Sequence, residues 1–402
     1  MCRFRLLPSP EQAAVLAEHC RHARFVWNLA VEQHQHWQPG RQAPGYHEQC
    51  AQLTAARAEY DWLKAGSQTV QQLGVPPARG GALRDFAQAM RNFFHGTHHR
   101  PTWRKAGTHE GFRQVGLKLR HIKRLNRRYG QVWIPKVGWV RFRWTRTIAD
   151  TVKSYRVTLD RSGRWHIAFA AIPEPVPGPD DGSVVGVDRG VAVSVALSSG
   201  ELLRVAGPRA GETQRLRRLQ RRLARARRGS HRRVRIKLAI ARLLAREADR
   251  RRDWVEKTST DLARRFDIIR VEDLKVRAMT RSARGTADCP GASVAQKRGL
   301  NREISRQGWG LLVARLKHKA QGRLEFVPAA YTSQRCSRCG HVAPENRKSQ
   351  AVFQCVACST GPCNADVNAA RNIAAGRAVT ARGDLGISRS VNREPQLCSP
   401  AA

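Results

Sequence analysis

Tyr331-Thr-Ser-Gln-Arg-Cys336-Ser-Arg-Cys339-Gly, Cys355-Val-Ala-Cys358 and Asn364-Ala-Asp366-Val-Asn368-Ala-Ala-Arg371-Asn372-Ile373 follow one another within residues 331–375. Fifteen residues separate the two Cys-x-x-Cys pairs, a spacing at which two tight turns present four thiolates to one tetrahedral zinc ion. Cys336, Cys339, Cys355 and Cys358 are therefore the expected ligands of one structural Zn2+. Eight residues after Cys358, Asp366 opens an apolar-periodic helix. A carboxylate there suits the positive end of the helix dipole and can serve as a cap. It can also be a ligand, and two acidic strand ends upstream favour that second reading.

The first of these is Val184-Val-Gly-Val-Asp188-Arg-Gly190-Val-Ala-Val-Ser-Val-Ala-Leu197, read as two apolar strands joined by a tight turn at Asp188-Arg-Gly190. A buried strand ending in a carboxylate is costly without a counter-ion, which favours a metal ligand; standing alone it could equally be a turn Asp hydrogen-bonded to its own backbone. The second is Phe266-Asp-Ile-Ile-Arg-Val-Glu272-Asp273-Leu274, again apolar and again ending in acid. Glu272 and Asp273 point to opposite faces of an extended chain, so alternation alone leaves open which one faces a site. Leu324–Val327 adds a short strand before the cysteines. Carboxylates converging from three distant elements would repel one another unless divalent ions bridged them. Two Mg2+ ions do this in nucleases, where one activates water and the other stabilises the leaving 3′ oxygen; the products would carry 5′-phosphate and 3′-hydroxyl ends.

Charge points to the substrate. Lys and Arg number 73 against 31 Asp and Glu, a net +42, which calls for a polyanionic partner, with nucleic acid first. No apolar run of membrane-spanning length, lipidation signal or signal-peptide core is present, so a cytoplasmic, nucleoid-associated protein without a membrane partner is expected. The scattered Cys2, Cys20, Cys50, Cys289, Cys363 and Cys398 are expected to be free thiols in such a compartment. Residues 212–255 read as an arginine-dense helical hairpin broken at Gly229-Ser230, with Leu216, Leu219, Leu223, Val234, Leu238 and Leu244 on its apolar side. A charge run is normally a solvated face, but this nearly single-signed one would repel itself without a polyanion. Arg217, Arg218, Arg221, Arg222, Arg225, Arg232 and Arg233 are the candidate contacts.

Towards the N-terminus, Phe4–Leu7 reads as a strand and Ser9-Pro10-Glu11-Gln12 as a capping box opening a helical layer that runs to about 97. A second helix is expected over 48–63 and another from Leu83, with a loop at Gly74–Gly81 between them. From His98 the texture becomes basic and aromatic. Residues 132–144 suggest strands with one packed and one charged face, and 157–159 and 165–172 continue the sheet. Arg104, Lys105, Arg141 and Arg143 are the candidate phosphate contacts; the tryptophans are core, or stacking platforms for bases. Pro173–Gly182 is a domain boundary, Arg277–Gln296 an expected mobile segment, and Leu300–Lys319 one amphipathic helix. Disorder is expected over 384–402.

The ordered set Gly186-Val-Asp188-Arg-Gly190, Val271-Glu272-Asp-Leu274, Tyr331 to Gly340 and Ala365-Asp366-Val-Asn-Ala-Ala-Arg-Asn-Ile373 resembles the TnpB family. These are transposon-encoded, RNA-guided DNA endonucleases with a RuvC-like domain of RNase H fold, related to compact type V CRISPR effectors. The resemblance covers residues 184–375, and more loosely Phe4–Pro8 and Pro101–Lys105. It implies a multidomain α+β and α/β chain. Residues 1–8 and 98–177 would form a β-barrel-like wedge domain and 9–97 a helical recognition domain. Residues 178–330 and 360–383 would form the RuvC-like nuclease, with 331–359 an inserted zinc ribbon that binds target nucleic acid. By matching position it makes Asp188, Glu272 and Asp366 the catalytic triad and Mg2+ ligands, selecting Glu272 over Asp273. A guide RNA from the transposon end would pair with target DNA while the protein reads a flanking motif and the heteroduplex shape.

Two departures stand out. Ser359 occupies the place of a usual Gly, and the following segment to Asn364 is longer by one residue, which makes Cys363 a competitor of Cys358 for zinc. The Gly74–Gly81 stretch looks inserted. Two other readings stand beside the nuclease: an RNA-guided DNA-binding regulator that no longer cuts, and a transposase using RNase H-like chemistry without RNA.

Overall fold

The computed structural model describes residues 2–35, 43–71, 81–108, 110–171, 173–359 and 361–376. The tail expected over 384–402, the end of the 360–383 segment, most of the Gly74–Gly81 loop and Cys398 lie outside these residues. The chain divides into two compact units, one of residues 1–173 with 215–243, the other of 174–214 with 244–402.

In the first unit, β1 (Cys2–Leu7) leads into α1 (Pro10–Gln35), which opens on the expected capping box: Gln12 N donates to Ser9 Oγ at 3.2 Å and Ser9 N to Gln12 Oε1 at 3.1 Å. Next come α2 (Tyr46–Glu59), α3 (Asp61–Ala65), α4 (Gln68–Gln71) and α5 (Ala82–Phe94). The single helix expected over 48–63 is thus two. Tyr60 is extended (φ −105°, ψ 110°), and Asp61 starts a new turn with its charge at the positive helix end.

Six further strands, β2 (Gly111–Val115), β3 (Ile122–Arg124), β4 (Tyr129–Ile134), β5 (Gly138–Arg143), β6 (Ser154–Leu159) and β7 (Trp165–Phe169), join β1 in a seven-stranded antiparallel sheet ordered β2-β6-β7-β1-β5-β4-β3. β1 pairs with β7 through Cys2–Arg5 and with β5 through Leu6–Leu7, so it spans the two halves of the sheet. Alternation is as expected: Val132, Ile134, Val140 and Phe142 point inward, while Arg141 and Arg143 are exposed. Phe4, Phe142 and Phe169 meet edge to face in a core that also takes in Leu16 and Val26 of α1 and Phe86 of α5. Helical layer and sheet share one core. Of the tryptophans, Trp27 and Trp165 are core, whereas Trp103 and Trp133 are exposed.

The second unit is built on β8 (Val184–Asp188), β9 (Val195–Leu197), β10 (Leu202–Leu203), β11 (Ile268–Glu272) and β12 (Leu324–Val327), in the order β10-β9-β8-β11-β12. β8, β11 and β12 are parallel neighbours, and β9 runs antiparallel to β8. The link from β8 to β9 is no tight turn but the six residues 189–194. That loop is pinned: Ser194 Oγ donates to Gln307 Oε1 at 2.7 Å and Gln307 Nε2 to Val191 O at 3.0 Å.

The hairpin consists of α6 (Ala210–Arg225) and α7 (His231–Arg265), ten residues longer than expected, with Gly229 in the left-handed region (φ 82°) at the break. Leu219, Ile236 and Leu243 bury its apolar stripe. The segment expected to be mobile forms α8 (Val276–Met279) and a bridge between Gly285 and Pro290, then enters α9 (Val294–Gln307). α9 and α10 (Trp309–Lys319) replace the one helix expected over 300–319. Gly308 between them lies at φ 72°, a conformation that ends a helix and that glycine adopts without strain. Val185, Val187, Ile269 and Val271 on one sheet face pack on Val255 and Leu262 of α7 and Leu312 and Leu316 of α10. The ribbon adds β13 (Val352–Phe353) paired with β14 (Cys363–Asn364), and α11 (Ala365–Ala374) closes the described chain. No helix among the described residues is long and apolar enough to cross a membrane.

Candidate active site

β8 and β11 lie in parallel register with Val187 opposite Val271, so Asp188 and Glu272 are the next pair, side by side on one face at the carboxyl ends of two core strands. That edge is where open α/β sheets bind their ligands. The same face carries Gly186 and Arg270, which are also register partners. Helix α11 covers both. A Cβ on Gly186 would sit 1.9 Å from Ala370 O, and the Arg270 guanidinium donates to Ala374 O. α11 therefore runs back along the strands and brings its first turn, with Asp366, to the end where Asp188 and Glu272 stand.

Asp188, Glu272 and Asp366 line one cavity of about 290 Å3, together with Arg189, Thr332 and Arg347. Asp366 is not the cap of its helix. Asn364 is, its Oδ1 accepting from Asp366 N and Val367 N at 3.0 Å each, so the Asp366 carboxylate is spared for the cavity. Glu272 is buried and lines the cavity, whereas Asp273 is exposed.

The electrostatics are those of three acids only partly offset by Arg189 and Arg347. Burial, then the charges of Glu272 and Asp366, push Asp188 up to about 7, against the Arg189 backbone N–H and the Arg347 charge. Burial also raises Glu272, opposed by the Thr332 hydroxyl and Arg189, and raises Asp366, opposed by Arg347. Arg347 stands 3.9 Å from Asp366 Oδ1, and the Arg189 guanidinium donates to the Glu272 carbonyl rather than to its carboxylate. Oxygen donors of this kind are the ligands that hard divalent cations such as Mg2+ take; among the described residues, the group whose ligand atoms already gather closely enough to hold an ion is the four cysteines.

The Sγ atoms of Cys336, Cys339, Cys355 and Cys358 lie within 4.8 Å of one another, with 336–358 at 3.8 Å and 339–355 at 3.6 Å. A tetrahedron with Zn–S of about 2.3 Å has edges of about 3.8 Å, so the set fits zinc. Cys363 packs beside the four from β14 without joining them. Asn346, wholly buried, knits the ribbon by donating to Gln334 O and His341 O and accepting from Val356 N.

The expected phosphate contacts divide by burial. Lys105, Arg143, Arg217, Arg218, Arg221, Arg222, Arg225 and Arg232 are exposed, as is Arg141, which lies 5.3 Å from the Tyr129 ring centroid. Arg104 is half-buried, stacked 3.6 Å over Trp27, and desolvation lowers it to about 10. Arg233 donates to Leu223 O and Ala226 O, satisfying carbonyls at the end of α6. Arg189, Thr332, Arg347 and Asn372 went unread in the sequence. Thr332 and Asn372 stand inside the motifs quoted above, but their partners lie 60 and 40 residues away.

A sequence-family profile described as "Probable transposase" matches residues 166–283, one described as "Cas12f1-like, TNB domain" matches 309–373, and a "Helix-turn-helix domain" profile matches 1–39. The Escherichia coli (strain K12) protein "Putative RNA-guided DNA endonuclease InsQ" is 36% identical over 405 residues, covering 98% of this chain and 96% of that one. The chain belongs to the TnpB family. A second relative, "Putative RNA-guided DNA endonuclease" of Streptomyces pristinaespiralis, is 29% identical over 98% of this chain and 96% of its own. The TnpB-family fold extends to the solved "Cas12f1-sgRNA-target DNA complex", at TM-score 0.52 and 14% identity over 91% of this chain and 83% of that one.

Proposed function

We propose that this chain is a transposon-borne RNA-guided DNA endonuclease, hydrolysing target phosphodiesters at the cavity of Asp188, Glu272 and Asp366. The observation that carries the chemistry is that three acids from distant segments line one cavity and are all raised by its low polarity. The TnpB-family membership and the names of the full-length relatives carry the guiding by RNA. In this reading Asp188, Glu272 and Asp366 would hold Mg2+, which would supply an activated water and stabilisation of the leaving 3′ oxygen. Asp188 is the acid whose carboxyl both others raise. Arg189 fixes the end of β11, and Arg347 offers positive charge to the incoming phosphate. The sheet of the second unit is then the RuvC-like core of RNase H fold. Residues 1–8 with 98–177 act as the wedge, 9–97 as the recognition layer, and the exposed arginines of α6 and α7 as contacts to nucleic-acid backbone.

The test is direct. A discrete RNA is expected to copurify, and DNA matching it is expected to be cut only with divalent cations, leaving 5′-phosphate and 3′-hydroxyl ends. Cutting without RNA would favour the autonomous transposase, and guided binding without cutting the silent regulator. The pH dependence has a definite sign. A carboxyl raised to about 7 without metal holds its proton below that pH, so Mg2+ must displace it. The Mg2+ concentration for half-maximal rate is expected to fall as pH rises from about 6 to 8; a pH-independent requirement would argue against Asp188 as a ligand.

The ribbon is expected to carry one zinc per chain. Its binding is worth on the order of 10 kcal/mol in small zinc modules, so Cys355→Ala should lose the metal and open residues 331–359 to protease. Elemental analysis and limited proteolysis check both, and a zinc-free wild-type chain with an intact ribbon would count against the site.

A further inference from the structure

Thr332 follows a residue under backbone strain and reaches straight into the carboxylate cavity. Tyr331 holds φ 59°, a conformation that an aromatic residue keeps only when its surroundings impose it. Thr332 itself is buried (4% exposed), and its Oγ1 donates to Glu272 Oε1 at 2.5 Å, with Ala329 O a second, longer choice at 3.2 Å. A hydroxyl has one proton, and the shorter, charge-assisted bond takes it. This donor is neutral, so it orients the carboxylate without cancelling the charge a cation needs. Arg189, the nearby cation, donates through one amino group to the Glu272 carbonyl and leaves its buried Nε without a partner among the described residues, so it acts on the carboxylate by its charge rather than by a hydrogen bond.

The loop around Thr332 is set by the helix that carries Asp366. Asn372 Nδ2 donates to Thr332 O at 2.9 Å and to Arg335 O at 2.7 Å; one turn earlier, Asn368 Nδ2 donates to Arg335 O at 2.7 Å and its Oδ1 accepts from Ser337 N at 3.0 Å. Both amides are buried. A chain of contacts thus runs from α11 through Asn372 and Thr332 to the carboxylate on β11.

We infer that Thr332 is a positioning residue for DNA cleavage. Its hydroxyl holds one oxygen of Glu272 so that the other is presented to the divalent cation, and Asn372 indexes that placement to the helix bearing Asp366. This rests on reading Asp188, Glu272 and Asp366 as metal ligands. Orienting partners of this kind typically govern metal affinity or activity by about 10–100-fold.

The experiment uses the full chain with its guide RNA. Thr332→Val keeps the volume and removes the donor; Thr332→Ser keeps the donor. Thr332→Val is expected to load RNA, bind target and retain zinc as wild type does, while cleavage at saturating target slows about 10–100-fold and Mn2+ binding to the RNA-loaded complex weakens in step. Thr332→Ser is expected to restore both. Wild-type rate and Mn2+ affinity in Thr332→Val would overturn the inference. So would a Ser variant as impaired as Val, or loss of zinc or target binding in Val, which would make the hydroxyl a tie of the ribbon alone. Asp188→Ala run in parallel separates the failures. If it still cuts, the metal-ligand reading is wrong; if it is silent while Thr332→Val cuts normally, only the role of Thr332 falls.

Discussion

Asp188→Ala is expected to slow DNA cleavage by about 10³-fold or more, roughly 4 kcal/mol of transition-state stabilisation, with guide loading and target binding unchanged. Asp188 is the most central of the three acids: both others raise it, and its strand end is fixed by pairing with β9 and β11. On the proposed function, removing it takes away one of the three carboxylates that would hold the divalent cations. It also removes a half-buried charge that its acidic neighbours oppose, so the metal-free variant is expected to melt at or above the wild-type temperature. Single-turnover cleavage, filter binding and thermal melting read the three effects separately. Cleavage at the wild-type rate would remove Asp188 from the chemistry. Target binding lost in proportion to rate would show a structural defect instead.

Gly186→Ala should be the most damaging single methyl group in the second unit. The added Cβ would lie 1.9 Å from Ala370 O and 2.4 Å from Ala374 N, and these are backbone atoms that cannot rotate aside. Helix α11 would have to lift by an ångström or more, at a cost of about 3 kcal/mol, the upper range for overpacking. Because α11 carries Asp366 and Gly186 lies two residues before Asp188, the same displacement parts two of the carboxylates. A misplacement of about 1 Å costs on the order of 10²-fold in rate. Denaturant unfolding and cleavage assays should therefore both register the change. Wild-type stability with wild-type rate would mean that helix and strand are not in close contact.

What could be read from the chain alone was what is local or periodic. The two Cys-x-x-Cys pairs, the capping box at Ser9 and the acid-ended strands at Asp188 and Glu272 each carry their signal within a few residues. So does the alternation of Val132 to Arg143. The expected convergence of the acids came from their shared pattern and from the resemblance to TnpB proteins; all three are in the lining of one cavity. What stayed hidden depends on partners far along the chain. Gly308 was passed over because the apolar period continues across it, and only a positive φ shows the break. Residues 189–194 looked like a turn because the anchoring Gln307 lies more than a hundred residues away. Arg104 and Arg233 looked like phosphate contacts by type, whereas Trp27 and the end of α6 claim them. Nothing in the composition of residues 9–97 says that their helices share a core with the sheet.

The last carboxylate enters with α11, close to the end of the described chain, whereas the first unit comprises residues 1–173 and 215–243 and its main core is built from residues before 172. A stop codon or frameshift anywhere between about 244 and 365 therefore erases Asp366 but spares the segments of that unit. If Asp366 acts as proposed, worn-out copies of such a mobile element would lose scission at the first truncation of this kind, however much of the chain before it persists.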